Sequence, residues 1–358
     1  MLFDAYTSPA LTLSNRCVMS PMTRNRAVDH NTPNALMARY YSQRATAGLI
    51  ITEGTSPSPN GLGYPRIPGL FNPGQVEGWK AITQAVHARG GKIVVQLMHC
   101  GRVASEHNLP AGARAVGPVD ARLEGEIYTD AHGMQPHALP HAMAQADVDA
   151  AVSEFAQAAT LAIDAGFDGV ELHAANGYLI EQFLNANVNT RSDGYGGSAA
   201  GRNRFALEVA RATVAAIGGQ RVGIRISPYG VFNGTGGFAG VDAQYEALVQ
   251  ELSAMGLLYV HLLDHSAMGA PAVPASLKAS LRAAFKGTFI LAGGFDRDSA
   301  QAALEGGQAD LIAFGRPFLC NPDLVARMQA GAALNAPDMG TFYTPGEKGY
   351  TDYPALAA

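Results

Sequence analysis

The stretch VELHAANGYLIEQFLNANVNTRSDGYGG, residues 170–197, decides how the rest of the chain is read. A short apolar run, Phe167–Leu172, enters it and reads as a buried strand. His173, Asn176 and Tyr178 follow at the strand's C-terminal end. A neutral imidazole offers one N–H, an Asn amide two, and a phenol one acidic O–H. Two donors can hold an oxygen that gains negative charge, and a phenol beside them can deliver a proton. The alternative is a strand end with a satisfied histidine and an ordinary turn at Asn176-Gly177. Strand C-termini are where α/β barrels place their chemistry, which favours the first reading.

Seven further apolar runs have the same look: Cys17–Met22, Leu49–Glu53, Lys92–Leu97, Arg221–Ile226, Leu257–Leu262, Thr288–Ala292 and Asp310–Phe314. With Gly169–His173 they make eight. Between them lie stretches of helical periodicity: Asn34–Ala47, Pro73–Arg89, Ala146–Ala165, Ala200–Ile217, Gly240–Met255, Ala275–Phe285 and Arg297–Gly306, with Asp323–Ala330 as an eighth. Strands that alternate with helices form parallel sheets. Eight such units favour a closed (β/α)8 TIM barrel over an open doubly wound sheet. Residues 98–145 break the rhythm, with many Gly, Pro and Ala and no helical period. A connection of that length reads as a long excursion after strand 3, a lid at the pocket mouth. Residues 1–358 read as a single domain.

Composition narrows the function. The chain has 358 residues, 47% hydrophobic and 15% charged, enough for a large core. A net charge of −5 gives no basic footprint for nucleic acid. No apolar run is long enough to cross a membrane, and the N-terminus lacks the basic and apolar regions of a secretory leader. Three widely spaced cysteines, Cys17, Cys100 and Cys320, fit a reducing cytoplasm and no metal or iron–sulfur spacing. His132, His137 and His141 lie in a Pro/Gly/Ala-rich stretch, a poor frame for a metal, so no metal site is expected.

The cofactor reading comes from the chain's second half. Gly293-Gly294 follow strand seven, and Gly315-Arg316 follow strand eight. Loops there often bind phosphate through backbone N–H groups, and an arginine adds a fork for its oxygens. No P-loop or strand-bound G-x-G-x-x-G competes. Arg225 lies inside the apolar strand VGIRIS, where it needs either an internal salt bridge or an anionic ligand. Thr23 follows strand one and Gln96 ends strand three. A phosphate-bearing ring cofactor across the barrel mouth explains these groups together.

Eight segments carry a resemblance to a known family: MSPMTRNRA (19–27), ITEGT (51–55), VQLMHCGR (95–102), ELHAANGYLIEQFL (171–184), DGYGGS (193–198), RVGIRISP (221–228), FGRPFLCNPDLV (314–325) and GYTDYP (349–354). They span nearly the whole chain, in order, and resemble the old yellow enzymes, FMN-dependent ene-reductases. The resemblance implies that Pro21, Met22, Thr23, Gly54 and Gln96 surround the flavin ring. It implies that Arg225 faces the ring's anionic edge, and that Gly293, Gly294, Gly315 and Arg316 hold the phosphate. His173 and Asn176 would bind a substrate carbonyl oxygen, Tyr178 would donate a proton, and Tyr64, Met98, Phe232 and Tyr343 would line the substrate pocket. NADPH or NADH would be the reductant in a ping-pong scheme, with enones, maleimides, quinones or nitro compounds as acceptors and a monomer or homodimer as the working form. The chain departs from the common pattern at Met98, where many relatives carry Trp, and at Asn176, where many carry a second His. Thr23 stands where another branch has Cys, and the tail around Tyr343 has fewer glycines than usual. Rivals are a dienoyl-CoA-reductase-like flavoenzyme, which would need a cysteine cluster, a metal-dependent barrel hydrolase, and a non-catalytic flavin carrier.

Overall fold

A computed structural model describes residues 1–356. Eight parallel strands close into one barrel: Cys17–Met19, Leu49–Ile51, Ile93–Leu97, Gly169–Ala174, Val222–Ile226, Tyr259–Leu263, Thr288–Ala292 and Leu311–Phe314. The eighth pairs with the first through Ala313 and Val18. Every strand expected from the apolar runs is present, shortened at one or both ends in most cases.

Alternation along each strand divides the two faces. Val170 and Leu172 join the shell against the helices, while Glu171 and His173 belong to the opposite, inward set. Both faces are buried, so the strands read as continuous apolar runs. Val18, Leu49, Ile51, Val94, Tyr259, Ile290 and Leu311 fill the lower barrel. An N-terminal hairpin, Tyr6–Ser8 with Leu11–Leu13, adds Tyr6, Leu11 and Leu13 to that cluster, and Tyr6 Oη lies 2.9 Å from Thr288 Oγ1. The sequence reading missed this plug, because strands of three residues carry almost no periodic signal.

The eight expected helices form, and local caps fix several starts. Asn34 Oδ1 accepts from Met37 N, Asn72 Oδ1 from Gln75 N ahead of a helix with Pro73 at its start, and Ser198 Oγ from Gly201 N. Two short helices were not expected: Leu179–Leu184, directly after Tyr178, and Arg316–Cys320.

Residues between the third strand and the helix at Gln145–Asp164 form the long excursion. Val116–Gly117 pairs with His141–Ala142, and Glu126–Thr129 forms a hairpin with Gly133–Pro136. The hairpin reaches the barrel mouth, where Asp130 pairs with Arg66. Arg66 also donates to Asn25 O at 3.0 Å and Tyr343 O at 2.9 Å, tying three mouth segments together. The C-terminal segment is clamped by buried arginines. Arg24 Nη2 donates to Gly349 O at 2.7 Å, Arg26 Nη1 to Phe342 O at 2.7 Å, and Tyr350 stacks on Tyr40 at 4.0 Å. These contacts place Tyr343 at the mouth.

Candidate active site

The fourth strand delivers the central group. His173 is buried at its end, and the chain then turns at Asn176, a non-glycine residue with φ 61°. Asparagine tolerates this left-handed conformation better than most side chains. Asn176 Nδ2 lies 3.5 Å from His173 Nε2. The His173 and Tyr178 rings are 5.0 Å apart, and Tyr178 Oη donates to Tyr64 Oη at 3.2 Å. His173 Nδ1 and Asn176 Oδ1 are buried without a partner. Buried polar atoms are nearly always paired, so unpartnered ones mark a place where a ligand completes the bonding.

Burial sets the protonation states. It holds the His173 imidazole well below the usual histidine range, and the Arg225 charge acts in the same direction. Burial likewise pushes the Tyr178 phenol well above the usual tyrosine value. The site therefore presents a neutral imidazole, an amide and a protonated phenol. That set can bind an oxygen and hand over a proton.

Two hollows meet here. One, about 720 Å³, is lined by Pro21, Met22, Arg225, His265, Gly293 and Arg316 among others. The second, about 810 Å³, is lined by Thr23, Arg66, Ile127, Tyr128 and Met339 among others. Tyr64, Tyr178, Asn233 and Tyr343 line both and form their common wall.

The first hollow suits an anionic group. Arg225 is buried, its Nε has no partner, and no carboxylate lies within ion-pair distance of it among the described residues. The internal salt bridge left open by the sequence is therefore not formed. Gly293 has φ 138°, and a Cβ there would meet Asp264 O at 2.2 Å; Gly294 has φ 70°, and a Cβ there would meet Ala267 Cβ at 2.4 Å. Only glycine leaves this rim open. Arg316 is exposed, with its Nη2 3.8 Å from Met268 Sδ.

Some expected site residues are not among those lining the two hollows. Gln96 is buried and donates from Nε2 to Glu171 Oε1 at 2.8 Å. Gly54 backs onto Met98, whose Sδ is 2.4 Å from where a Cβ would stand. Met98 is 1% exposed and packs with Leu62, Cys100, Val103, Leu123 and Tyr178. Met98 lines neither hollow, and the excursion residues Cys100, Val103 and Leu123 share its apolar cluster. Met98→Trp is accordingly expected to destabilise the fold by about 1–3 kcal/mol through overpacking. Denaturant unfolding measures this; an unchanged midpoint would restore Met98 to the pocket wall.

Several wall residues escaped the sequence reading. Asp264 and His265 follow the sixth strand, and Asn233, at φ 55°, donates from Nδ2 to Asn176 O at 2.7 Å. Burial, aided by Arg225, lowers the His265 pKa to about 4. The available signal was position: Asp264-His265 stand at a strand C-terminus like His173.

Fold and site together define a class: a (β/α)8 barrel with a glycine-rimmed hollow beside a donor-lined pocket. The sequence matches the NADH:flavin oxidoreductase / NADH oxidase family over residues 1–335. It is 41% identical to 12-oxophytodienoate reductase 7 of Oryza sativa subsp. japonica, covering 99% of this chain and 94% of that one. It is 42% identical to a probable flavin mononucleotide-dependent alkene reductase of Leishmania infantum, covering 96% and 94%. The fold superimposes on the old yellow enzyme homologue of Zymomonas mobilis with a TM-score of 0.95 at 38% identity, covering 99% of each chain. The chain belongs to this family of flavin oxidoreductases, the old yellow enzymes, and is an FMN-dependent enzyme with a nicotinamide reductant. Its residues fit that cofactor: the glycine rim leaves room for a phosphate, and the buried, unpartnered Arg225 can oppose negative charge on a flavin ring.

Proposed function

We propose that this enzyme reduces the activated C=C bond of α,β-unsaturated carbonyl compounds with NADPH or NADH, in a ping-pong sequence. The observation that carries the reading is the junction of the two hollows at Tyr178, with His173 and Asn176 beside it. Bound FMN would supply the redox chemistry, taking hydride from the nicotinamide and giving it to the alkene carbon.

The chain's own residues bind and polarise. Gly293, Gly294, Gly315 and Arg316 would hold the phosphate, and Pro21, Met22, Thr23, Gly54 and Gln96 would surround the ring. Arg225 opposes negative charge on the cofactor's buried edge. His173 and Asn176 donate to the carbonyl oxygen, drawing electrons from the double bond and holding the enolate that forms. Tyr178 Oη, released from Tyr64, protonates the α-carbon. Tyr64, Met98, Phe232 and Tyr343 would shape the pocket for small enones, maleimides, quinones or nitro compounds. On this reading the barrel works as one domain, a monomer or homodimer, in a reducing cytoplasm that keeps Cys17, Cys100 and Cys320 free.

Anaerobic mixing tests it. NADPH or NADH alone should bleach the flavin absorbance. With spent nicotinamide removed, 2-cyclohexenone should restore the colour in one equivalent. Colour that returns only while nicotinamide is present would overturn the ping-pong order, and no return at all would overturn the substrate class.

A further inference from the structure

The turn that carries Asn176 is pinned by groups that the proposed chemistry does not use. Asn176 N–H donates to Ser227 Oγ at 3.0 Å, and the next amide, Gly177 N–H, donates to Glu181 Oε2 at 2.6 Å. The Ser227 hydroxyl in turn donates to Glu181 Oε1 at 2.9 Å. Tyr245 Oη approaches the same oxygen at 3.5 Å. Ser227 follows directly on the fifth strand, and Glu181 sits in the short helix after Tyr178. One carboxylate thus ties the turn after the fourth strand to the end of the fifth.

Glu181 is fully buried, and no Lys, Arg or His among the described residues lies within ion-pair distance of it. Burial raises its pKa to about 8, so it is an ionised carboxylate, with both oxygens accepting, above that pH. An unpaired carboxyl group in such a place is costly, and nothing in the barrel's packing requires it. What it provides is two acceptor oxygens facing two donors that flank Asn176. A glutamine would turn its NH2 toward either Gly177 N–H or the Ser227 hydroxyl, and one donor would lose its acceptor. The Asn176 backbone, at φ 61°, has little intrinsic preference for its conformation and depends on such external bonds.

We propose that Glu181, through Ser227 and the Gly177 amide, is a positioning residue that sets the Asn176 side chain on the substrate oxygen. The inference rests on the reading of Asn176 as an oxygen donor. Neither Glu181 nor Ser227 touches the reacting atoms.

At about pH 9, where Glu181 is ionised, the FMN-loaded enzyme is titrated with 4-chlorophenol, whose phenolate is an electron-rich mimic of the enolate oxygen, and Kd is read from the long-wavelength charge-transfer band. Asn176→Ala should weaken binding. Glu181→Gln and Ser227→Ala should each weaken it by about tenfold, the scale of one lost hydrogen bond to a charged group. In the Asn176→Ala background, Glu181→Gln should add less than about a factor of two, since its effect runs through Asn176. A full tenfold loss retained in that background would show a general structural role and overturn the proposal. So would an unchanged Kd in Glu181→Gln with full flavin content. Should Glu181→Gln not fold, Ser227→Ala carries the same comparison. If Asn176→Ala itself leaves Kd unchanged, the reading of Asn176 fails and this inference with it; if Asn176→Ala weakens binding and Glu181→Gln does not, the inference alone fails.

Discussion

Tyr178→Phe is expected to leave flavin reduction by NADPH or NADH near the parent rate and to slow reoxidation by 2-cyclohexenone by about 10²–10⁴-fold, the usual range for a lost general acid. The asymmetry follows from where a proton is needed. Hydride leaves a nicotinamide without proton transfer, whereas the enolate must be protonated at carbon. Burial keeps the Tyr178 phenol protonated well past neutral pH, and its contact to Tyr64 Oη orients the O–H at the junction of the two hollows. The substitution removes one hydroxyl and keeps the ring that packs against His173 and Tyr64. Stopped-flow measurement of each half-reaction separates the outcomes. Equal slowing of both halves would assign Tyr178 a structural role.

His173→Ala is expected to slow reoxidation by about 10²–10³-fold, the cost of one oxyanion donor in a water-poor site. Its pH dependence is informative. Burial, reinforced by Arg225, His261 and His265, holds the imidazole well below the usual histidine range. The group is therefore neutral at and above neutral pH, and no proton leaves it as pH rises through the ordinary imidazole range of about 6.5. Wild-type reoxidation should show no inflection there. A rate that falls as pH rises through that range would mean that the cationic imidazole is the working form, and that Arg225 does not act on it as the structure indicates.

The sequence alone determined the architecture. Eight apolar runs separated by helical periods need eight parallel strands with both faces covered, and each run appears as a barrel strand. It also placed His173, Asn176 and Tyr178 within one short segment, because a strand end and the turn after it are local features. The glycines after strands seven and eight were legible for the same reason. Tertiary structure decided the rest. Arg225 could have been paired or free, and only the barrel's closure, with Glu171 engaged by Gln96 and His261, left it free. The partners of Met98, which include Leu62 and Leu123 from distant parts of the chain, came only with the excursion's folding. Nothing in the sequence marked Glu181, since its meaning depends on Ser227, which lies 46 positions away. Hydrogen bonds between distant strands leave no period and no spacing in the sequence, so the parts of the site that chemistry demands were visible while the groups that hold those parts in place were not.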